Sequence, residues 1–111
     1  MSWDILFVKN DRGDEIVKDL IRKLQKLTIS KVVHHIDILK EQGPILPMPY
    51  SKKITGNIYE LRIRGRQEIR IFYSFSKNQI YILHLFQKKS QKTPSKEIKI
   101  AEDRYRNLTT I

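Results

Sequence analysis

Three consecutive stretches of sequence decide the fold of this chain: residues 58–64 read IYELRIR, residues 67–75 read QEIRIFYSF, and residues 80–89 read IYILHLFQKK. In each stretch, apolar residues alternate or nearly alternate with polar ones, which is the pattern of a half-buried β-strand. Turn-forming residues separate the stretches, at Gly65 and at residues 76–78, and such residues suit tight hairpins. The stretches therefore predict three antiparallel strands that lie side by side.

Side chains alternate between the two faces of a strand, so the same stretches predict one apolar face and one charged face. The apolar face is expected to hold Tyr59, Leu61, Ile63, Ile69, Ile71, Tyr73, Phe75, Tyr81, Leu83 and Leu85. The other face is expected to hold Glu60, Arg62, Arg64, Glu68, Arg70, Phe72, Ile82, His84, Phe86 and Lys88. A helical hairpin should cover the apolar face, because that face cannot remain in water.

The charged face has two interpretations. In the first, it is a solvated sheet face on which cross-strand Glu–Arg pairs contribute only ~0.2–1 kcal/mol each, and its aromatic rings seat the last helix. In the second, it is a groove in which cations hold phosphates while Phe72 and Phe86 stack on nucleic-acid bases. The alternation alone leaves both open.

The flanking segments predict further elements. Residues 3–8 are predicted to form a short strand. Apolar spacing predicts one helix over residues 16–27, capped by Asp11. It predicts a second helix over residues 29–39, which Gly43 ends. Prolines and Gly56 predict a loop over residues 43–57, and Thr93-Pro94 predicts the start of a last helix. The prediction is one α+β domain over residues 1–111, ordered β-α-α-β-β-β-α, with an antiparallel sheet of about four strands and a helical hairpin on one face.

The charge of the chain points to a polyanionic partner. The net charge of the 111 residues is +10, and residues 57–94 carry eight basic side chains against two acidic ones. Because the excess falls on the predicted strands, a nucleic acid or an acidic protein is the expected partner. The alternative is a basic surface without a specific partner.

Composition excludes several classes of site. The chain contains no cysteine, so it has neither a disulfide framework nor a thiolate metal site. No His, Asp and Glu residues have metal-ligand spacing, and we expect no metal and no cofactor. Residues 1–4 do not begin a signal peptide, and the longest apolar run, over residues 80–86, is too short to span a bilayer. We therefore expect a cytoplasmic protein without membrane contact.

Two motifs are specific when they occur together: YELR at residues 59–62 and LHLFQKKSQKTP at residues 83–94. With RIFY at residues 70–73 and the segment 97–104, they make the chain resemble the RelE/HigB-like toxins of bacterial type II toxin–antitoxin systems, in particular the phage-derived branch of the RelE/ParE superfamily. The resemblance is strongest over residues 56–104. It implies a RelE-like fold and a metal-independent endoribonuclease that cuts mRNA in the ribosomal A site, where a ribose 2′-OH attacks the adjacent phosphate.

The resemblance also implies which residues bind phosphate. Arg62 and Arg70 match the basic strand positions of the family, and a guanidinium can bind two phosphate oxygens at once. Lys88 and Lys89 match the basic pair after the last strand and are expected to bind phosphate or to transfer protons. Further phosphate contacts are expected from Arg64 and Lys92.

Two residues are candidates for proton transfer. Glu60 is the candidate general base, with a structural ion pair beside Arg62 as the alternative. His84 is the candidate general acid, with a buried structural role as the alternative. Many RelE-type relatives carry lysine at the position of Glu60.

The implied partners are mRNA on the ribosome and a cognate helix-turn-helix antitoxin. The chain would contact operator DNA only through this antitoxin. Two other functions remain open. A toxin of the same fold can inhibit DNA gyrase, as ParE-type relatives do, although the four cations Arg62, Arg70, Lys88 and Lys89 argue for phosphoryl transfer. The chain can also be an inactive prophage relative that acts only as a co-repressor.

Overall fold

The computed structural model describes residues 2–92 and 94–109 and confirms the α+β class. Its elements are β1 (Asp4–Phe7), α1 (Ile16–Arg22), α2 (Lys26–Gln42), β2 (Ser51–Thr55), β3 (Ile58–Ile63), β4 (Ile69–Ser76), β5 (Gln79–Gln87) and α3 (Ser95–Thr109), with a short 3₁₀ helix at Gly43–Ile45. The strands form one sheet in the order β1-β5-β4-β3-β2. Within the described ranges, no helix is both long and apolar enough to cross a membrane.

The sheet is antiparallel from β2 to β5, as the hairpin signals predict, but β1 pairs in parallel with β5. A parallel pair needs a long crossover connection, and the two helices that follow β1 begin this connection. The β4–β5 hairpin closes through Lys77 and Asn78, both with positive φ, +52° and +64°. Such a two-residue turn matches the twist of the flanking strands.

The prediction of a loop over residues 43–57 was wrong for the second half of that segment, because residues 51–55 form β2. The prolines at positions 44, 47 and 49 all precede the strand, so they exclude regular pairing only up to residue 50. Beyond them, Ser51 pairs with Leu61 and Lys52 with Glu60. The segment SKKIT has few apolar residues because β2 is an edge strand, which can be polar.

The helical hairpin differs from its prediction at its ends. Asp11 does not cap α1, because the side chain of Asn10 accepts hydrogen bonds from the backbone N–H groups of Arg12 and Asp14 and so holds a turn there. The first helix ends at Arg22, and α2 already begins at Lys26. Leu27 therefore lies in the first turn of α2 and is 78% exposed, and Val33, further along the same helix, is 50% exposed.

Gly43 ends α2, as predicted. Its φ of +57° disfavours any residue with a side chain. The indole of Trp3 also lies directly against its α-carbon, where a β-carbon would collide with the ring. The N-terminal segment thus packs on the end of α2, and the backbone N–H of Trp3 donates to the carbonyl of Lys40 at 2.8 Å.

The main core lies between the sheet and the helical hairpin. It contains Val17, Ile21, Val32 and Leu39 from the helices and, from the strands, Leu61, Ile63, Ile69, Ile71, Tyr73, Ile80, Ile82 and Leu85. The buried hydroxyls of Ser51 and Tyr73 lie 2.5 Å apart. Burial raises the pKa of Tyr73 to about 12, so this hydroxyl keeps its proton.

The second core lies under α3, on the opposite face of the sheet, which we call the α3 face. Ile98, Ala101, Tyr105 and Leu108 of α3 pack there against Ile58, Phe72, Leu83 and Phe86. The predicted helix start at Thr93 lies outside the described residues. Phe72 and Phe86, the candidate base-stacking residues, are 0% and 8% exposed, so their burial under α3 favours the interpretation in which these rings seat the last helix.

A β-bulge in β5 explains why the face assignment failed there. Phe72 pairs with His84, but the next residue, Tyr73, pairs with Ile82, so Leu83 is the extra residue. A bulge shifts the alternation by one position. Leu83 therefore joins the α3 face together with His84, whereas Ile82 joins the main core; both were predicted on the opposite faces.

Candidate functional site

A groove of about 660 Å³ lies beside β3 and β4, next to the segment that follows β5. Its lining is formed by Arg62, Arg64, Glu68, Arg70, Lys88, Lys89, Ser90 and Gln91. Five of these eight side chains are cationic and one is acidic. Because α3 supplies none of the lining residues, the charged side chains of the sheet meet solvent here.

Glu60 ties together the two strand arginines of the groove. Arg62 and Arg70 are direct cross-strand partners, so their side chains lie on the same face. The Glu60 carboxylate is 2.9 Å from the Nε of Arg62 and 3.7 Å from the Nε of Arg70. Glu60 is 0% exposed, and a general base must come within hydrogen-bonding reach of the proton that it removes. The burial argues against Glu60 as the general base and favours the structural ion pair.

Arg70 is held more rigidly than Arg62. Its Nη1 donates to the Glu68 carboxylate at 3.1 Å and to the carbonyl of Ile69 at 3.3 Å. The Arg70 side chain is 6% exposed, whereas that of Arg62 is 17% exposed. The Nε of Arg70 is buried without a hydrogen-bond partner among the described residues. The geometry therefore presents one fixed guanidinium and one more accessible guanidinium side by side.

The lysines of the groove come from the segment after β5. The backbone N–H of Lys88 donates to the carbonyl of Glu68 at 2.7 Å, which anchors this segment to the start of β4. Lys89 is exposed and Lys88 half-buried. Arg64 lies at the end of β3, where its carbonyl accepts a hydrogen bond from the Lys31 ammonium at 3.3 Å. Lys92, the remaining predicted phosphate ligand, is not among the lining residues.

His84 lies away from the groove, under α3. Its Nε2 is 2.7 Å from the Glu97 carboxylate, and its Nδ1 is 3.4 Å from Nη1 of Arg104. Arginine can only donate, so Nδ1 accepts and the ring is neutral, with its proton on Nε2. Arg104 also donates to the carbonyl of Leu83, in the bulge, at 2.8 Å. His84 therefore links α3 to the bulge, and this position favours the buried structural role over that of a general acid.

We expect the contribution of His84 to stability to depend on pH. Burial lowers the pKa of His84 below its ordinary value, against the opposing effect of Glu97. The unfolded chain, with a histidine pKa of about 6.5, then binds the proton more readily than the folded chain. The contribution should be complete above about pH 6.5 and should be lost as the pH falls through the lower pKa of the folded state.

Urea unfolding of the wild type and of His84→Gln, at about pH 7.5 and about pH 5, tests this expectation. The stability advantage of the wild type should be largest at the higher pH and should shrink at the lower pH. A constant advantage across this range would contradict the assignment of a neutral, buried ring.

The sequence did not predict two kinds of residue that line the groove. Glu68 was predicted on the charged face without a role in the site, and its carboxylate lines the groove and is 38% exposed. Its alternation with Arg70 was a usable signal, since residues two apart share a face. Ser90 and Gln91 also line the groove, but they follow the last strand, where no periodicity indicates direction.

A second cavity of about 630 Å³ lies between β1 and the C-terminal part of α3. Its lining includes Leu6, Val8, Tyr81 and Leu108, so it lacks the concentration of cations that marks the groove. Within residues 2–92 and 94–109, no three His, Asp or Glu side chains come together as a metal-binding group.

The comparison with known proteins agrees with the sequence motifs. A family model described as "Phage derived protein Gp49-like (DUF891)" matches residues 19–106. The match begins within α1 and includes α2, β2 to β5 and most of α3. No curated protein sequence matches the chain.

Proposed function

The chain belongs to the Gp49-like family of phage-derived proteins, in general a type II toxin family of the RelE/HigB-like kind, and from this membership and the groove we propose that it cleaves mRNA on the ribosome. The proposed activity is that of an endoribonuclease that needs no metal. The cationic groove is the proposed site of cleavage.

The observation that carries the proposal is the pair of arginines that the buried Glu60 carboxylate holds together. Arg62 and Arg70 lie on adjacent strands and share Glu60 at 2.9 and 3.7 Å. Guanidinium groups fixed in this way need little reorganisation when charge develops on a bound phosphate. A surface that only gave solubility would not need arginines anchored to a buried carboxylate.

The proposed reaction follows from the charges in the groove. The ribose 2′-oxygen forms a bond to phosphorus, and the bond from phosphorus to the 5′-oxygen breaks, which leaves a 2′,3′-cyclic phosphate and a 5′-hydroxyl. Arg62 and Arg70 stabilise the negative charge of the phosphorane. The Glu68 carboxylate, exposed in the groove, accepts the proton of the 2′-hydroxyl. Lys88 supplies a proton to the leaving 5′-oxygen.

Membership of a toxin family implies an antitoxin partner in general. We propose that this partner is a helix-turn-helix protein that shields the cationic groove or blocks access to it. Its own acidic residues would complement the excess positive charge of the chain, and opposite charge speeds association and selects partners. Contact of the toxin with operator DNA would then occur only through the antitoxin.

Induced expression followed by primer extension on a translated reporter transcript tests the proposed function. We expect growth arrest together with new transcript ends that appear only when the reporter is translated. Stable transcripts with relaxed or cleaved chromosomal DNA would instead support a gyrase inhibitor. The absence of any growth effect would support an inactive relative, and either outcome would overturn the proposal.

A further inference from the structure

Lys52 places a cation beside the groove, on the strand next to β3. It pairs with Glu60, and direct cross-strand partners lie on the same face of a sheet, so Lys52 belongs to the α3 face. Ile54, the extra residue of a bulge between Lys53 and Thr55, also packs in the core under α3. Lys52 is exposed, whereas Glu60 is fully buried.

We propose that Lys52 binds the RNA phosphate adjacent to the one held by Arg62 and Arg70, so that the RNA strand crosses the sheet from β5 towards β2. This inference rests on the proposed function, since it extends the same groove by one nucleotide. It adds a binding residue that the sequence motifs do not include.

The spacing of the cations supports a strand that carries several phosphates. Four neighbouring strands or strand ends contribute one each: Lys52 on β2, Arg62 on β3, Arg70 on β4, and Lys88 directly after β5. Strands lie about 4.8 Å apart, so the row spans roughly 15 Å across the sheet. A single phosphate cannot contact all four cations. Consecutive phosphates of an extended strand can do so.

The position of Lys52 relative to Arg62 fits adjacent phosphates. Arg62 lies two residues beyond Glu60, the direct partner of Lys52, so Lys52 and Arg62 are diagonal neighbours. Diagonal neighbours are separated by roughly 7–8 Å. Lysine and arginine side chains are flexible, so the distance between their charged groups can match the spacing of phosphates in a single strand. Because Glu60 already binds two guanidinium groups, Lys52 is not needed to neutralise it.

The chain offers a matched control in Lys53. Both lysines are exposed and adjacent on β2, but Lys53 pairs with Tyr59, which packs against the main core on the opposite face. Lys52→Ala and Lys53→Ala therefore remove the same charge from neighbouring positions. Long-range electrostatic effects are nearly equal in the two variants, and a difference between them reports local contact.

The test measures binding of a fluorescent single-stranded RNA with 2′-O-methyl groups, which cannot be cleaved by 2′-OH attack, over a series of salt concentrations. For single strands, the slope of log K against log salt changes by about 0.7 for each phosphate contact. We expect Lys52→Ala to lower the magnitude of this slope by about 0.7, with the slope of Lys53→Ala unchanged and Lys52→Arg close to the wild type. Thermal unfolding of Lys52→Ala should match that of Lys53→Ala.

The outcomes separate this inference from the proposed function. If RNA binding depends on Arg62 and Arg70 but responds equally to both lysine variants, the assignment of Lys52 is wrong and the proposed function stands. If the wild type does not bind free RNA, or binds it independently of Arg62 and Arg70, the assignment of Lys52 is wrong, and primer extension on the translated transcript decides the proposed function separately. A loss of stability confined to Lys52→Ala would show a structural role and would also overturn the assignment.

Discussion

Replacing Arg70 with alanine is expected to lower the rate of ribosome-dependent mRNA cleavage by a factor of about 10²–10³, which is the typical effect of removing one donor that stabilises charge in the transition state. Arg70 is the most firmly held cation of the groove, through Glu68 at 3.1 Å and the carbonyl of Ile69 at 3.3 Å. Its loss therefore removes a preorganised group that solvent cannot replace. The measurement is the rate of appearance of cleaved ends on purified ribosomes programmed with one mRNA.

Arg66→Ala is the matched control for this prediction. Arg66 is exposed in the β3–β4 connection and does not line the groove, so its replacement removes the same charge without changing the site. We expect it to cleave at nearly the wild-type rate. Because Arg70 is buried, Arg62→Ala serves as a second variant in case Arg70→Ala does not fold. We expect Arg62→Ala to lose most activity as well. Folded variants that both cleave at the wild-type rate would refute the assignment of the phosphate site.

Glu60→Gln is expected to lower the free energy of unfolding by about 3–5 kcal/mol, the usual cost of removing one partner from a buried ion pair. The carboxylate is 0% exposed, and without its charge the side chains of Arg62 and Arg70 face each other across adjacent strands. Neither solvent nor a neutral amide compensates the two cations fully. Urea unfolding at neutral pH measures the effect.

Glu68→Gln makes the same chemical change at the other carboxylate of Arg70. Glu68 is 38% exposed, and exposed ion pairs contribute only about 0–1 kcal/mol, so this variant should unfold close to the wild type. Equal losses from the two variants would contradict the distinction between a buried anchor and an exposed groove residue. A Glu60→Gln protein of unchanged stability that no longer cleaves would restore Glu60 as the general base.

The sequence predicted the groove cations well because β3 and β4 alternate regularly. Arg62, Arg64 and Arg70 fall on one face by counting alone, and the structure brings them together with Lys88 and Lys89. The structure argues against the proton-transfer assignments for a reason that counting along a strand cannot show. Alternation shows which face a side chain is on, but it does not show whether a helix covers that part of the face. Glu60 and His84 lie on the predicted face and are nevertheless buried.

Hydrophobic periodicity alone determined the class of the fold, the helical hairpin and the strands β3 and β4, because the burial of apolar side chains imposes a period of 2 or 3.6 on the chain. The tertiary structure decided the rest. The bulge at Leu83 moves Ile82 into the main core, and β2 forms because the free edge of β3 offers hydrogen bonds to a segment with few apolar residues. Tertiary packing also decides which carboxylates of this face are buried, such as Glu60, and which are exposed in the groove, such as Glu68. Such features depend on contacts between residues far apart in the chain, and no local pattern encodes them.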